Sequence, residues 1–338
     1  MLAVLLLLSA CGDAAGSSKG PPKALRLCYF ANLTHAPALV GVDSGSFQAA
    51  LGATTRLEPV LFNAGPTAMQ ALLAPDSLDA TFIGPNPALT AYLRSEGAAV
   101  RVVAGAAAGG ASLVVTPSIG GPGDLKGKTL STPQLGNTQD VALRVWLEEQ
   151  GLETTKEGGG DVAVRPQDNA QILTSFATGQ IDGAWVPEPW ATRLVTEAGG
   201  KVLVDERDLW PGGQFATTLL LVRTDFLEAH PATVEALVRA HVETVDRLNA
   251  DPAAAQQATN AAIAHLTGKP LPEDLVAGAW PKLRFTWDPL AATVVEMARH
   301  ARDVGLLVPG DAPLRELYDL RVLDRTLRAA GKPAVAAP

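Results

Sequence analysis

The sequence predicts two α/β lobes joined by a two-strand hinge, with a ligand cleft between them, on three observations. From residue 24 to about 222, short apolar runs alternate with longer amphipathic segments, the pattern of successive βα units and a mainly parallel sheet. Ser77-Leu-Asp-Ala-Thr-Phe-Ile-Gly-Pro-Asn-Pro87 returns as Gln180-Ile-Asp-Gly-Ala-Trp-Val-Pro-Glu-Pro-Trp190. Each copy reads as a buried strand ending in a Pro-x-Pro turn that opens a helix. In open α/β sheets, ligands bind outside the carboxyl ends of the strands, so two copies suggest two facing walls. Finally, Gly105-Ala-Ala-Ala-Gly-Gly-Ala-Ser-Leu-Val-Val115 reads as flexible then extended, and Phe215–Val222 is β-rich. Both suit chain crossings between lobes, giving 24–108 with 216–338 as lobe 1 and 109–215 as lobe 2.

The strands expected along the chain are Leu25–Phe30, Arg56–Leu61, Ala80–Ile83, Val100–Ala104, Ser112–Thr116, Thr129–Thr132, Val162–Pro166, Gly183–Val186 and Lys201–Val204. Helices fill the gaps, including Ala36–Phe47, with Pro37 suited to a first turn, and Asn137–Gln150, with polar residues at its start. From Thr224 to about residue 330 the pattern is almost wholly helical. The 338 residues hold about two domains of ordinary size. A hydrophobic fraction of 47% against 18% charged residues fits well-packed cores. The formal net charge of −8 argues against nucleic acid or an anionic membrane surface, which require basic patches.

Residues 1–10 form an apolar run far too short to cross a bilayer, which takes about 20 residues. They read as a signal-peptide core, although no Lys or Arg precedes them. Leu8-Ser-Ala-Cys11 resembles a bacterial lipobox, implying cleavage before Cys11, its acylation, and an extracytoplasmic chain tethered to the cell membrane. Residues 11–23 have the small, polar, breaker-rich composition of a flexible linker. Cys28, inside an apolar strand, reads as a buried free thiol.

Four segments carry a further resemblance: Phe30-Ala-Asn-Leu-Thr-His-Ala-Pro-Ala-Leu-Val-Gly41, Phe82-Ile-Gly-Pro-Asn-Pro-Ala88, Ser131-Thr-Pro-Gln-Leu-Gly-Asn-Thr-Gln-Asp140 and Asp182-Gly-Ala-Trp-Val-Pro-Glu-Pro-Trp190. They look like those of periplasmic solute-binding proteins of ABC importers, in the group for aliphatic sulfonates, taurine and nitrate, over roughly residues 24 to 300. The resemblance implies a type II periplasmic-binding-protein fold whose lobes close on a solute. It also implies delivery of that solute to a permease driven by an ATPase, most simply by a monomer and without a cofactor. Thiamine-precursor, bicarbonate and nitrate binding proteins share the fold, as do thiamine-pyrimidine synthases, which use a cysteine-rich segment that this chain lacks.

The residues themselves suit a small organic anion. Asn32, Thr34 and His35 follow the first strand and precede a helix, and helix starts offer unpaired N–H groups and a positive dipole end. Gly136, Asn137 and Thr138 repeat the arrangement, with the glycine allowing close backbone approach and Gln134 just before them. Asn86 stands at a third helix start. Asn137 and Thr138 also suit simple capping, and His35 a turn hydrogen bond. Asp79 and Asp182 suit turns. Trp185 and Trp190 bring aromatic faces for an alkyl chain or a cation, with ordinary packing an alternative for at least one. Glu188 would repel a bare anion unless it met an ammonium group or stayed solvated, and Asp140 carries the same implication. A neutral, amide-bearing jaw against an aromatic, acidic one points to a sulfonate or taurine-like solute. No phosphate loop, dinucleotide motif, zinc motif or serine elbow is present, so binding rather than catalysis is expected.

Overall fold

The computed structural model describes residues 20–336. The Cys11 motif and most of the linker lie outside the described residues. Among the described residues, eleven strands form in chain order: β1 (Ala24–Tyr29), β2 (Arg56–Leu61), β3 (Ala80–Ile83), β4 (Val100–Gly109), β5 (Ala111–Val115), β6 (Thr129–Ser131), β7 (Ala163–Val164), β8 (Gly183–Pro187), β9 (Lys201–Asp205), β10 (Ala216–Arg223) and β11 (Leu283–Phe285). They sort into a six-stranded sheet, β11-β4-β10-β3-β1-β2, and a five-stranded sheet, β7-β6-β8-β5-β9. Helices pack on the faces of both.

The sheets are mixed, where the alternating pattern predicts mainly parallel ones. β1 runs parallel to β2 and β3, and β6 to β7 and β8. However, β10 is antiparallel to β3 and β4, and β5 is antiparallel to β8 and β9. The reason is connectivity. Parallel pairing needs a crossover that returns the chain to its starting edge, and β10 re-enters from the other sheet instead, between β3 and β4. Pro59 sits in β2, the edge strand, where a missing donor is tolerated.

The small-residue run expected to be flexible is the second half of β4, a continuous ten-residue strand. A Cβ on Gly105 would lie 2.1 Å from the Asp288 carbonyl oxygen, and His241 Nε2 is 2.7 Å from the Gly105 carbonyl. Small residues are used because other segments pack directly on this backbone. The chain leaves β4 through Gly109 and Gly110, both in the left-handed region (φ 72° and 71°). Side chains there would strike the Lys282 carbonyl and the Leu283 side chain, so both conformation and space require glycine.

Past residue 224 the helices form as expected, but β11 interrupts them and closes the free edge of β4. The helix expected over Ala36–Phe47 is two, Ala36–Asp43 and Ser46–Leu51, separated at Gly45 (φ 72°). One apolar cluster runs unbroken between the sheets, including Ile83, Leu89, Val141, Trp146, Trp185, Phe215 and Met297. Separate clusters cover the outer faces of each sheet. Among the described residues, no helix is long and apolar enough to cross a membrane.

Candidate functional site

The carboxyl ends of β1, β2 and β3 face those of β6 and β8 across a narrow cleft. Phe30, Asn32, Thr34 and His35 line it after β1, Asn63 to Gly65 after β2, and Gly84 and Pro87 after β3. Pro133, Asn137, Thr138, Gln139, Asn169 and Pro187 form the opposite wall, with Thr217 of β10 at its back. Its volume is about 40 Å³. At roughly 10–15 Å³ per water, this is room for one compact polyatomic group. Among the described residues, no Asp, Glu, Lys or Arg lines it.

The polarity of this neutral lining is set by partners that can only donate. The Trp190 indole N–H donates to Asn32 Oδ1 at 2.9 Å, and the Asp140 backbone N–H donates to Asn137 Oδ1 at 2.8 Å. Each fixes its amide with the oxygen turned to the protein; the Asn32 NH₂ is left over, and the Asn137 NH₂ gives one N–H to Gln139 Oε1 at 3.3 Å and has one to spare. The Phe30 N–H faces His35 Nδ1 at 3.3 Å, which places the ring proton on Nε2. Burial drives the His35 pKa down to about 3, because the charged ring would lose its hydration. It is therefore a neutral donor, tilted at 36° against the Phe30 ring with ring centres 4.5 Å apart. Thr138 Oγ1 and Asn169 Oδ1 are buried without a partner among the described residues. Such atoms are costly unless something binds them.

The remaining residues singled out from the sequence lie elsewhere. Asn86 is buried with its Nδ2 toward the Met297 carbonyl at 3.5 Å, turned to the helix Ala291–Asp303 while Pro87 takes the cleft face. Gln134 stands at the rim, where its Nε2 donates to Thr67 Oγ1 at 3.0 Å across the opening. The Gly136 N–H is occupied by Asp140 Oδ2 at 2.9 Å. Asp140, wholly buried, also accepts from Thr132 Oγ1 (2.9 Å) and pairs with Arg144 (3.2 Å). The helix Thr138–Glu149 thus fills part of its own positive end.

Trp185 is fully buried on β8, donating its indole N–H to Glu206 Oε2 at 2.7 Å and packing on Trp146. It is a core residue, because the strand alternation that turns Ala184 and Val186 to the outer face points it into the cluster between the sheets. Glu188 is fully buried and paired with Lys282 at 2.7 Å, and it accepts from the Thr192 hydroxyl (3.0 Å) and N–H (3.1 Å). It offers the cleft no free carboxylate. Trp190 reaches the cleft only through Asn32. The acidic, aromatic jaw expected from the second copy is therefore an internal network. Asn63 and Asn169 carry the same signal that marks Asn32 and Asn137, a polar residue between a strand end and a helix start, and that signal was the way to find them.

A family model described as the NMT1-like family matches residues 18–264. The chain is 28% identical over 216 residues to the taurine-binding periplasmic protein of Escherichia coli (strain K12). That match covers 64% of each, so the chain spans a little under two thirds of the relative's length. Among solved structures, the alkanesulfonate-binding protein SsuA from Xanthomonas axonopodis pv. citri, bound to MOPS, superposes with a TM-score of 0.71 at 21% identity over 86% of this chain and 96% of that one. The periplasmic nitrate-binding protein NrtA from Synechocystis PCC 6803 superposes with 0.78 at 15% identity over 94% and 91%. At those identities the likeness is one of fold, and the two-sheet α/β architecture is that of periplasmic-binding-protein structures. With most of its length matched by the family model, the chain belongs to the NMT1-like family.

Proposed function

We propose that this chain is the solute-binding component of an ABC importer, capturing a small oxyanion and passing it to a permease driven by an ATPase. The observation that carries the reading is an uncharged cleft rich in N–H donors. Asn32, Asn137 and His35 each have an acceptor atom committed to a protein N–H, which leaves N–H groups for the solute. Preorganised donors hold an oxyanion without a full counter-charge. The names of the three relatives above, a taurine-binding, an alkanesulfonate-binding and a nitrate-binding protein, support the same class of solute. We further assign 24–108 with 216–338 to one lobe and 109–215 to the other, with a tether at Cys11 holding a monomer outside the cytoplasmic membrane.

The lobes close because the solute touches both walls, Asn32, Thr34 and His35 on one and Asn137, Thr138 and Asn169 on the other. A ligand with equal affinity for open and closed forms would shift nothing. Thermal unfolding with methanesulfonate, ethanesulfonate, nitrate and bicarbonate tests this reading. A ligand at 100 times its Kd adds about 2.7 kcal/mol, a shift of several degrees at most for a chain of this size. Binding solute should be recovered chemically unaltered. Absence of a shift with every anion overturns the anion-cleft reading, and chemical change in the recovered solute overturns transport.

A further inference from the structure

Building on the reading of the cleft as an anion seat, we infer that its ligand is a compact monoanion without an ammonium group, so that the cleft rejects taurine relative to the same sulfonate lacking the amine. An ammonium group stripped of water needs a carboxylate, a ring of strong acceptors or an open aromatic face. The cleft supplies none of them. Its lining contains no carboxylate. Three adjoin it in sequence: Glu188 is committed to Lys282 and Thr192, Asp140 to Arg144, Thr132 and the Gly136 N–H, and Asp168 is exposed outside the lining, where its carboxylate stays in water.

The aromatic faces are taken as well. Phe30, the aromatic of the lining, has the His35 ring against it at 4.5 Å; the Trp190 ring is covered by the Arg193 guanidinium at 4.7 Å, and Trp185 is fully buried in the cluster between the sheets. The acceptor atoms of Asn32, Asn137 and His35 already receive protein N–H groups. The remaining side-chain acceptors on the wall, such as Asn169 Oδ1 and the Thr217 hydroxyl, are neutral, and the Asn169 amide can turn to present its NH₂ instead. A volume of about 40 Å³ leaves no room for the ammonium to keep a water shell. Trp190 belongs to this device although it does not line the cleft. Its N–H, arriving from the opposite wall, holds the Asn32 oxygen away from the solute.

Isothermal titration of the full chain with ethanesulfonate and taurine, which differ only by the amine, together with nitrate, tests the inference. Ethanesulfonate or nitrate is expected to bind, with taurine weaker by about tenfold or more. Taurine binding as tightly as the tighter of these two overturns the inference and leaves the anion seat standing. Binding by none of the three overturns both. Trp190→Phe should keep its ligand-free thermal midpoint near that of the parent while narrowing the preference against taurine, because Asn32 is then free to turn its oxygen inward. An unchanged preference in that variant overturns the role given to Trp190.

Discussion

Gly84 shows how much one missing side chain decides in the cleft. Its backbone angles are ordinary (φ −68°, ψ 154°), so glycine is not needed for conformation. A Cβ there would lie 2.5 Å from Thr138 Oγ1 on the opposite wall, closer than such atoms approach. Gly84→Ala is therefore expected to hold the walls apart and weaken anion binding by about tenfold or more, the cost of one lost or misplaced hydrogen-bond set. The ligand-free thermal midpoint should barely change. Titration calorimetry beside a melting curve separates the two effects. His35 makes a second prediction. With its pKa near 3, the ring is neutral across pH 5 to 8, so affinity for a sulfonate or nitrate should be flat over that range. Affinity rising toward pH 5 would reveal an imidazolium counter-ion and contradict the neutral-donor cleft.

At the scale of elements, the two similar stretches are equivalent in one respect and unlike in another. Asp79 accepts the Arg26 backbone N–H at 2.8 Å, and Asp182 accepts the Thr129 N–H at 2.9 Å. Each pins its strand to a parallel neighbour, β3 to β1 and β8 to β6. The repeat made legible the strand, turn and helix start of each copy and a turn position for each Asp; the pinning bonds reach 53 residues along the chain and were not. The difference between the copies is not legible in the sequence, because the partners that neutralise Glu188 and bury Trp185 come from other elements. One such element is the turn Glu206–Leu209, which leads from β9 back toward β10. Burial raises the Glu206 pKa to about 7, against the opposing effect of the Trp185 and Trp210 indoles. A folded pKa above the unfolded one means the native state keeps a proton that the unfolded chain loses, so this residue's contribution falls as pH rises from about 4.5 to 7. Glu206→Gln keeps an oxygen for the Trp185 N–H and removes that loss. Its stability relative to the parent should improve between pH 4.5 and 8 by up to ~3 kcal/mol. Urea unfolding at both pH values measures it, and a pH-independent difference would place the carboxyl's titration elsewhere.

At the scale of the whole molecule, two sheets joined by Gly109–Gly110 and by residues 206–215 meet over a continuous apolar cluster. Two polar links bridge the opening, Trp190 to Asn32 and Gln134 to Thr67, and Lys282 to Glu188 braces it beside the glycine pair. If the proposed tether at Cys11 holds, Cys11→Ser should move the chain from the membrane to the soluble fraction of fractionated cells. Retention at the membrane would refute the lipid tether. By itself the sequence determined the βα alternation, the positions of most strands within a residue or two, and the polar helix starts at Asn32 and Asn137. These depend on local periodicity and on backbone groups a few residues apart. Only the tertiary structure decided that β10 inserts antiparallel between β3 and β4, that β11 closes a sheet edge, and that the cleft presents donors without charge. Asn32 is oriented by a residue 158 positions away, and Glu188 is neutralised by one 94 positions away. Hydrogen bonds and ion pairs of that span are set by how whole elements pack, and no local pattern encodes them.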